Sequence, residues 1–254
     1  MKISATVITF NEEKYIGKCL SSLSEVADEI IVVDSFSTDQ TEAICKSFPK
    51  VRFIKNAFKG YIEQKQFDID HTSFDWVLAL DGDECLSELL IKEIVRIKND
   101  AKSQHLAYSM PRLNNYCGRW IRHGGWYPDR KVRFWNKNYG EWGGKNPHYL
   151  VQLDKKVKDV ELRGNILHYT IPNIKAHVEQ TNKFSEIAAL ELFRSKRKVA
   201  VNFKMLFDPF FTFFKIYFLK LGFLDGFYGL TIAVVSAHEK FLKYSKYKQL
   251  VSKR

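Results

Sequence analysis

Apolar residues come in short runs along the first hundred positions, separated by polar stretches with helical spacing. "KISATVITF", residues 2–10, is apolar and rich in β-branched residues, which predicts a buried strand. Tyr15, Ile16, Cys19, Leu20 and Leu23 then recur at the spacing of one helix face. Asn11 is positioned to cap that helix, with Glu12 and Glu13 favoured in its first turn. "EIIVVDS" predicts a second strand ending in Asp34, "STDQTEAICKSF" a helix, and "VRFIKN" a third strand closed by Asn56. "YIEQKQFDID" predicts a short helix and "WVLAL", residues 76–80, a fourth strand. Strands alternating with helices predict an α/β fold, a mostly parallel sheet with helices on both faces.

Ligands of such sheets bind at the carboxyl ends of the strands. Thr9 and Asn11 follow the first strand, Asp34 ends the second, and Asp81, Asp83 and Glu84 end the fourth. Like charges this close repel, so either a positive group meets them or they form a solvated turn or helix start. Glu84 in particular suits the opening of the next helix. No GxGxxG follows the first strand, and no GxxxxGK[ST] occurs anywhere. A nucleotide diphosphate would therefore need a metal held on carboxylates, and Mg²⁺ or Mn²⁺ suits such oxygen ligands. Gly82, between the two aspartates, allows backbone and ligand to approach closely.

Beyond Asp100 the texture changes. Arg119, Arg122, Arg130, Lys131 and Arg133 interleave with Trp120, Trp126, Tyr127 and Trp135. Aromatic faces suit sugar rings and arginines suit phosphate or carboxylate, although packing plus solvated charge would give the same pattern. "NIKAHVEQTNKFSEIAALELFRSKRKVA" predicts one long helix with a basic end. Between Phe203 and Tyr228 there are 11 Phe/Tyr in 26 residues. Asp208-Pro209 predicts a helix start there, after which Phe210, Phe214, Tyr217 and Leu221 share a face. An aromatic helix with lysines, too short and interrupted to span, predicts an interfacial membrane helix; burial against the main domain is the alternative.

The composition is that of a globular protein, 254 residues with 45% hydrophobic positions. Four dispersed cysteines without a CxxC pair give neither a zinc knuckle nor a disulfide framework, and predict a reducing cytoplasm. Met1 leads straight into a strand, which predicts no signal peptide, and no apolar stretch reaches the roughly 18 residues of a membrane span. The net charge of +11 is unevenly placed. Residues 192–254 hold 13 Lys/Arg and 3 Asp/Glu, a balance of +10 that leaves +1 for the rest. Such asymmetry predicts an anionic partner, membrane lipid or nucleic acid.

"ITFNEE", "VVDSFSTDQT" and "LDGDE" together resemble family-two glycosyltransferases with the GT-A fold. "GYIEQKQF", "GRWIRHGGWYPDRKVRFW" and "LKLGFLDGFYG" resemble the bacterial β-glucosyltransferases that assemble the lipopolysaccharide inner core. The resemblance covers almost the whole chain. It implies a GT-A-like (Rossmann-like) domain over 1–170, with a nucleotide-sugar half (1–100) and an acceptor half (101–170). A basic, aromatic helical region for membrane association then occupies 171–254.

The resemblance also implies roles. Thr9, Asn11 and Glu12 would line the base and ribose pocket, Asp34 would bond the uracil, and Asp39 would hold the following loop. Lys65 would approach the diphosphate. Asp83 would bind the metal, with Asp81 nearer the ribose and metal shell. Arg119, Trp120, Arg122, His123, Trp126, Arg130 and Arg133 would meet the acceptor. His123, His148 and His168 suit structural roles, with His148 or His168 as an alternative further metal ligand.

The implied activity is metal-dependent and inverting: transfer of a hexose, glucose from UDP-glucose, to a heptose of the lipid A–core acceptor. It would take place at the cytoplasmic face of the inner membrane, by a peripheral enzyme. Another envelope glycan or a lipid carrier is the alternative acceptor; a basic nucleic-acid-binding protein is the rival outside this class, and no nucleic acid is expected. Relatives usually carry Val-His-Glu where this chain has Pro147, His148 and Tyr149. A phenol ionises near pH 10 and is a poor base at neutral pH. The base candidates are then Asp129, Glu141 and His148.

Overall fold

The computed structural model describes residues 1–100, 104–145, 148–195 and 200–252; the side chains of Lys145 and His148 also lie outside that description. So do Pro147 and the basic run 196–198 of the sequence. Two compact units are present, one formed by 1–112 with 129–169, the other by 113–128 with 170–254. Residues 113–128, expected in an acceptor half of the first domain, group with the C-terminal helices.

The first unit opens with β1 (Ile3–Thr9), α1 (Ile16–Ser24), β2 (Glu29–Asp34), α2 (Thr41–Lys46), β3 (Val51–Lys55), α3 (Tyr61–Asp70) and β4 (Trp76–Asp81). β5 (Glu84–Leu86), α4 (Glu88–Asn99), β6 (Ala107–Tyr116), β7 (Arg119–Ile121), β8 (Asp129–Asn136), β9 (Gly140–Lys145), β10 (His148–Leu153), β11 (Val160–Glu161) and β12 (Ile166–Ile171) follow along the chain, with β7 and the ends of β6 and β12 in the second unit. β3, β2, β1 and β4 lie side by side and parallel, and β8, β6, β12 and β5 extend the sheet. β8 turns antiparallel against β4, so the sheet is mixed, the GT-A-like α/β form.

Every residue of β1 is buried, as expected of a central strand covered on both faces. Ile16, Cys19, Leu20 and Leu23 of α1 pack beneath it with Val32, Leu78 and Leu80. Leu90 and Ile94 of α4 join the same core, and the Ser87 hydroxyl caps that helix by accepting from the Leu90 N–H at 3.3 Å. On the other face Ile69, Val77, Ala79 and Trp135 pack with Trp142 and Val151 of the separate β9–β10 hairpin.

Three local expectations are corrected. α1 begins at Ile16, so Asn11 does not cap it; Asn11 sits at φ 55°, its N–H on the Ser37 hydroxyl and its Oδ1 accepting from the Thr38 N–H. The polar stretch 10–15 forms a turn because that loop, not the helix, satisfies its groups. Glu84 does not open a helix, since it lies buried in β5 beside two arginines. Asp208-Pro209 is interior to a helix, as described next.

In the second unit, β7 pairs with the end of β6, and α5 (Ile174–Arg194), α6 (Val201–Phe214) and α7 (Gly226–Ser252) follow. A π-helical segment, Lys215–Leu219, and a 3-10 turn, Gly222–Asp225, join α6 to α7. Pro209 lies inside α6, where it removes one backbone donor. Asp208 is engaged sideways instead of capping: its Oδ2 accepts from the Tyr244 hydroxyl at 2.6 Å. Tyr116, Ile121, Ile171 and Ile232 form this unit's core.

Candidate active site

The parallel strands bring the expected polar residues to one edge. Thr9 pairs in register with Asp34, and Ile8 with Asp81, so β1, β2 and β4 end at one level. Asp34 is fully buried and accepts from the Ser37 N–H at 2.8 Å and from the Ser37 hydroxyl. It therefore shapes the loop after β2. Asp39 does the same, accepting from the N–H groups of Glu13 and Thr41 at 3.0 Å each. Phe10 and Phe36 are exposed immediately after β1 and β2.

The two aspartates of "LDGDE" stand in different surroundings. Asp81 is enclosed: its Oδ1 accepts from Lys65 at 2.5 Å, its Oδ2 from the Tyr149 hydroxyl at 2.9 Å, and Arg133 lies 3.5 Å away. Burial pushes the Asp81 carboxyl up, but the Lys65 and Arg133 charges outweigh it and hold the group well below the usual carboxylate range. Both oxygens are thus occupied by the protein.

Lys65 and Arg133 are both buried against Asp81. Lys65 has no exposed surface, and its ammonium lies 4.9 Å from the Trp142 ring and 5.2 Å from the Tyr149 ring. Arg133 is 2% exposed, 5.3 Å from Trp142 and 5.5 Å from Tyr149. Lys65 is the direct counter-charge of Asp81. Arg133 is a buried counter-charge instead of an acceptor contact. The aromatic hairpin covers both cations and exchanges their lost hydration for ring faces. Sequence reading missed Tyr149 as a site residue; its signal was the departure from Val-His-Glu. Burial and then the Asp81 charge push the Tyr149 phenol far up, so it stays a proton donor.

Behind this cluster Arg112 bonds Asp129 at 2.7 Å and fully buried Glu84 at 3.2 Å, while Lys131 lies 2.9 Å from Asp129. Burial raises the Asp129 carboxyl, but Arg112 and Lys131 outweigh it and leave the group below its ordinary value. That suits a structural anion and opposes a base. Glu141 is exposed and precedes Trp142 on β9, so it leaves the strand on the face away from the ring over Lys65 and Arg133. His148 opens β10, its side chain outside the described residues. Arg130 pairs with Glu161 at 3.1 Å and bonds the Leu162 carbonyl.

Asp83 is held differently from Asp81. It is part-exposed and meets His168 Nε2 at 3.2 Å. Burial alone would lower the His168 pKa, but the hydrogen bond and charge of Asp83 raise it. Glu12 stands close by: burial first, then the charges of Asp83 and Asp39, push its carboxyl up to about 7. A Cβ on Gly82 would fall 2.8 Å from Thr9 Oγ1 and 3.3 Å from Glu12 Cγ, so only glycine fits between them. Thr9 Oγ1 is buried without a hydrogen-bond partner among the described residues.

Among those residues no three His, Cys, Asp or Glu side chains converge to hold a metal alone. The donor set instead suits a divalent cation completed by ligand oxygens. Asp83 is part-exposed with His168 as its ion-pair partner among the described residues, Glu12 is charged only against opposition, and a buried hydroxyl is unpartnered beside them.

The remaining expected acceptor residues belong to the second unit. Asp225 accepts from the N–H groups of Arg122 at 3.3 Å and His123 at 2.8 Å, which engages that backbone in the fold. Trp126 packs edge-on against Tyr116 at 5.8 Å, and the Arg122 guanidinium lies 5.8 Å from the Tyr127 ring. Arg119 is exposed and Trp120 half-buried on β7.

Residues 4–160 match the family model described as Glycosyl transferase family 2, more than half of the chain. The chain belongs to that family and is a glycosyltransferase. It is 31% identical to an uncharacterized glycosyltransferase of Rickettsia typhi over 98% of this chain and 87% of that one. It is 28% identical to the lipopolysaccharide core biosynthesis glycosyltransferase LpsC of Rhizobium meliloti, over 97% of this chain and 92% of that protein. Among solved structures it is similar to S. aureus TarS 1–349, with a TM-score of 0.44 and 14% identity over 100% of this chain and 92% of that one.

Proposed function

We propose that the protein is an inverting, metal-dependent hexosyltransferase that moves glucose from UDP-glucose onto a heptose of the lipopolysaccharide inner core. The observation that carries the reading is the difference between the two aspartates: Asp81 is neutralised from within by Lys65, Tyr149 and Arg133, whereas Asp83 meets a histidine, with Glu12 close by. An internally neutralised Asp81 lets an anionic diphosphate approach without meeting the full charge of three carboxylates. Asp83, with Glu12, would hold Mg²⁺ or Mn²⁺. The ion would supply positive charge against the leaving diphosphate.

Phe10 and Phe36, exposed at the ends of β1 and β2, give a nucleobase flat faces to stack on. An acceptor hydroxyl attacking opposite the departing UDP inverts the anomeric centre and needs one base, not two flanking carboxylates. The likeness to LpsC supports a lipopolysaccharide core acceptor. Such an acceptor is lipid-linked, and this is the ground for a peripheral enzyme on the cytoplasmic face of the inner membrane.

The test is UDP release from UDP-glucose and other UDP-hexoses, with Mg²⁺ or Mn²⁺ and with chelator. It is run with core oligosaccharide, with other envelope glycans and without acceptor. Metal-dependent release stimulated by the core oligosaccharide is expected. No UDP binding and no release with either metal would overturn the reading; release stimulated only by another glycan would overturn the acceptor.

A further inference from the structure

Among the described residues, the second unit carries a helical face of exposed apolar side chains. α6 turns Asp208 and Met205 inward, toward Tyr244 and Ser245 of α7. Its other side carries Leu206, Phe207, Phe210, Phe211 and Phe214, all exposed, Phe210 to 72%. The stripe continues past the helix end through Phe218, Leu221, Phe223, Leu224 and Phe227, also exposed. A surface helix of a globular protein is polar on that side, and a contiguous apolar patch of this extent marks a contact surface.

The corner that presents the patch is built into the fold. A Cβ on Gly229 would lie 1.8 Å from the Gly222 carbonyl oxygen, so two glycines let the start of α7 close on the turn. Leu221 takes a left-handed conformation at φ 57°, and Gly226 a positive φ of 62°. Asp225 accepts from the Arg122 and His123 N–H groups, and Gly124 N–H donates to the Lys220 carbonyl at 2.8 Å. The two helical arms meet at 72°, and among the described residues no single helix is long and apolar enough to cross a membrane.

Charge selects the occupant. Between 201 and 234 the only acids are Asp208 and Asp225, and both are turned to hydrogen-bond partners inside the unit. Lys204 and Lys215 are exposed among the aromatics. A second copy of this chain would oppose one cationic face with another, whereas an anionic bilayer offers both a hydrocarbon layer and phosphates.

We propose that α6, the π-helical segment and the corner into α7 form a wedge that seats in the headgroup–acyl boundary of an anionic membrane. The phenylalanines enter the apolar layer, and Lys204 and Lys215 remain at the phosphates. This deepens the membrane seat in the proposed function, but vesicles free of donor and acceptor test it separately. UDP release by the same preparation reports on the transferase reading.

The experiment is flotation of the full chain with phosphatidylcholine vesicles, with and without phosphatidylglycerol. Flotation with the anionic vesicles is expected, weakening as salt rises. Phe210→Ser/Phe211→Ser/Phe214→Ser, with unchanged circular dichroism, should lower the partition on the order of tenfold or more. Lys204→Glu/Lys215→Glu should lower it on the anionic vesicles alone. Flotation of the serine variant at the wild-type level overturns the wedge. Equal flotation on neutral vesicles overturns the choice of an anionic surface. A wild-type chain that ignores both vesicles and forms a dimer dissolved by the serine substitutions assigns the face to self-association and overturns the proposal.

Discussion

Lys65 donates to Asp81 at 2.5 Å from a position with no solvent exposure, so a helix ammonium is spent inside the protein on the first aspartate of the site. Asp68, one turn further along α3, is buried as well, and burial pushes its carboxyl well above the ordinary range. Removing one partner of a buried pair strands the other's charge. Lys65→Met should therefore cost about 3–5 kcal/mol in urea unfolding. Lys65→Met/Asp81→Asn should recover part of that loss, because the double variant leaves no unpaired carboxylate. A single-variant cost below about 1 kcal/mol, the range of exposed pairs, would mean that Arg133 suffices for Asp81.

Tyr149 reaches the same carboxylate from the opposite side with a neutral donor. Its ring stacks on Tyr61 at 5.5 Å and meets Trp142 edge-on at 5.6 Å, so the phenol can be removed without emptying the site. Tyr149→Phe should cost about 1.5–3 kcal/mol, the scale of a hydrogen bond to a charged group. Tyr149→Glu should cost more, since it sets a second carboxylate against Asp81. Urea melts of both variants check the order; a Glu variant as stable as the Phe variant would show that the residue does not face Asp81 in solution.

The four parallel strands and the polar groups at their ends were legible because hydrophobic runs and turn residues are local signals. The charge cluster was not. α3 reads as a solvated helix because the face it buries is polar, carrying Gln64, Lys65 and Asp68. Arg133 reads as an acceptor contact because alternation along β8 gives its face but not what covers it. The pairing of neighbouring Phe134 with Leu78 and the β9–β10 hairpin above decide that. Asp208-Pro209 reads as a helix start because the composition of a cap does not reveal Tyr244, 36 residues away.

The two aspartates should separate by phenotype. Asp83 is part-exposed and, among the described residues, has His168 as its ion-pair partner, whereas Asp81 carries Lys65, Tyr149 and Arg133. Asp83→Asn should abolish the metal stimulation of UDP release while shifting stability by less than about 1 kcal/mol. Asp81→Asn should lower stability by several times that amount, because Lys65 loses its counter-charge. Isothermal titration with Mn²⁺ and UDP, beside urea melts, reads both quantities. Metal-stimulated release surviving in Asp83→Asn would remove Asp83 from the metal's ligands.

The acid limb of stability should report the Arg112–Asp129–Lys131 cluster. The Asp129 carboxyl is depressed in the folded state, so its contribution is fully present above the unfolded value of about 3.9 and is lost as pH falls through the lower folded value. Wild type minus Asp129→Asn should thus be a constant stability difference from about pH 5 upward that shrinks below about pH 4. Asp28 and Glu29 are likewise depressed by their own partners, but both proteins contain them, so they cancel in the difference. Urea melts across the pH series measure it. A difference that stays constant to about pH 2, below the mean carboxylate values of folded proteins, would mean that Arg112 and Lys131 do not hold this carboxylate in solution.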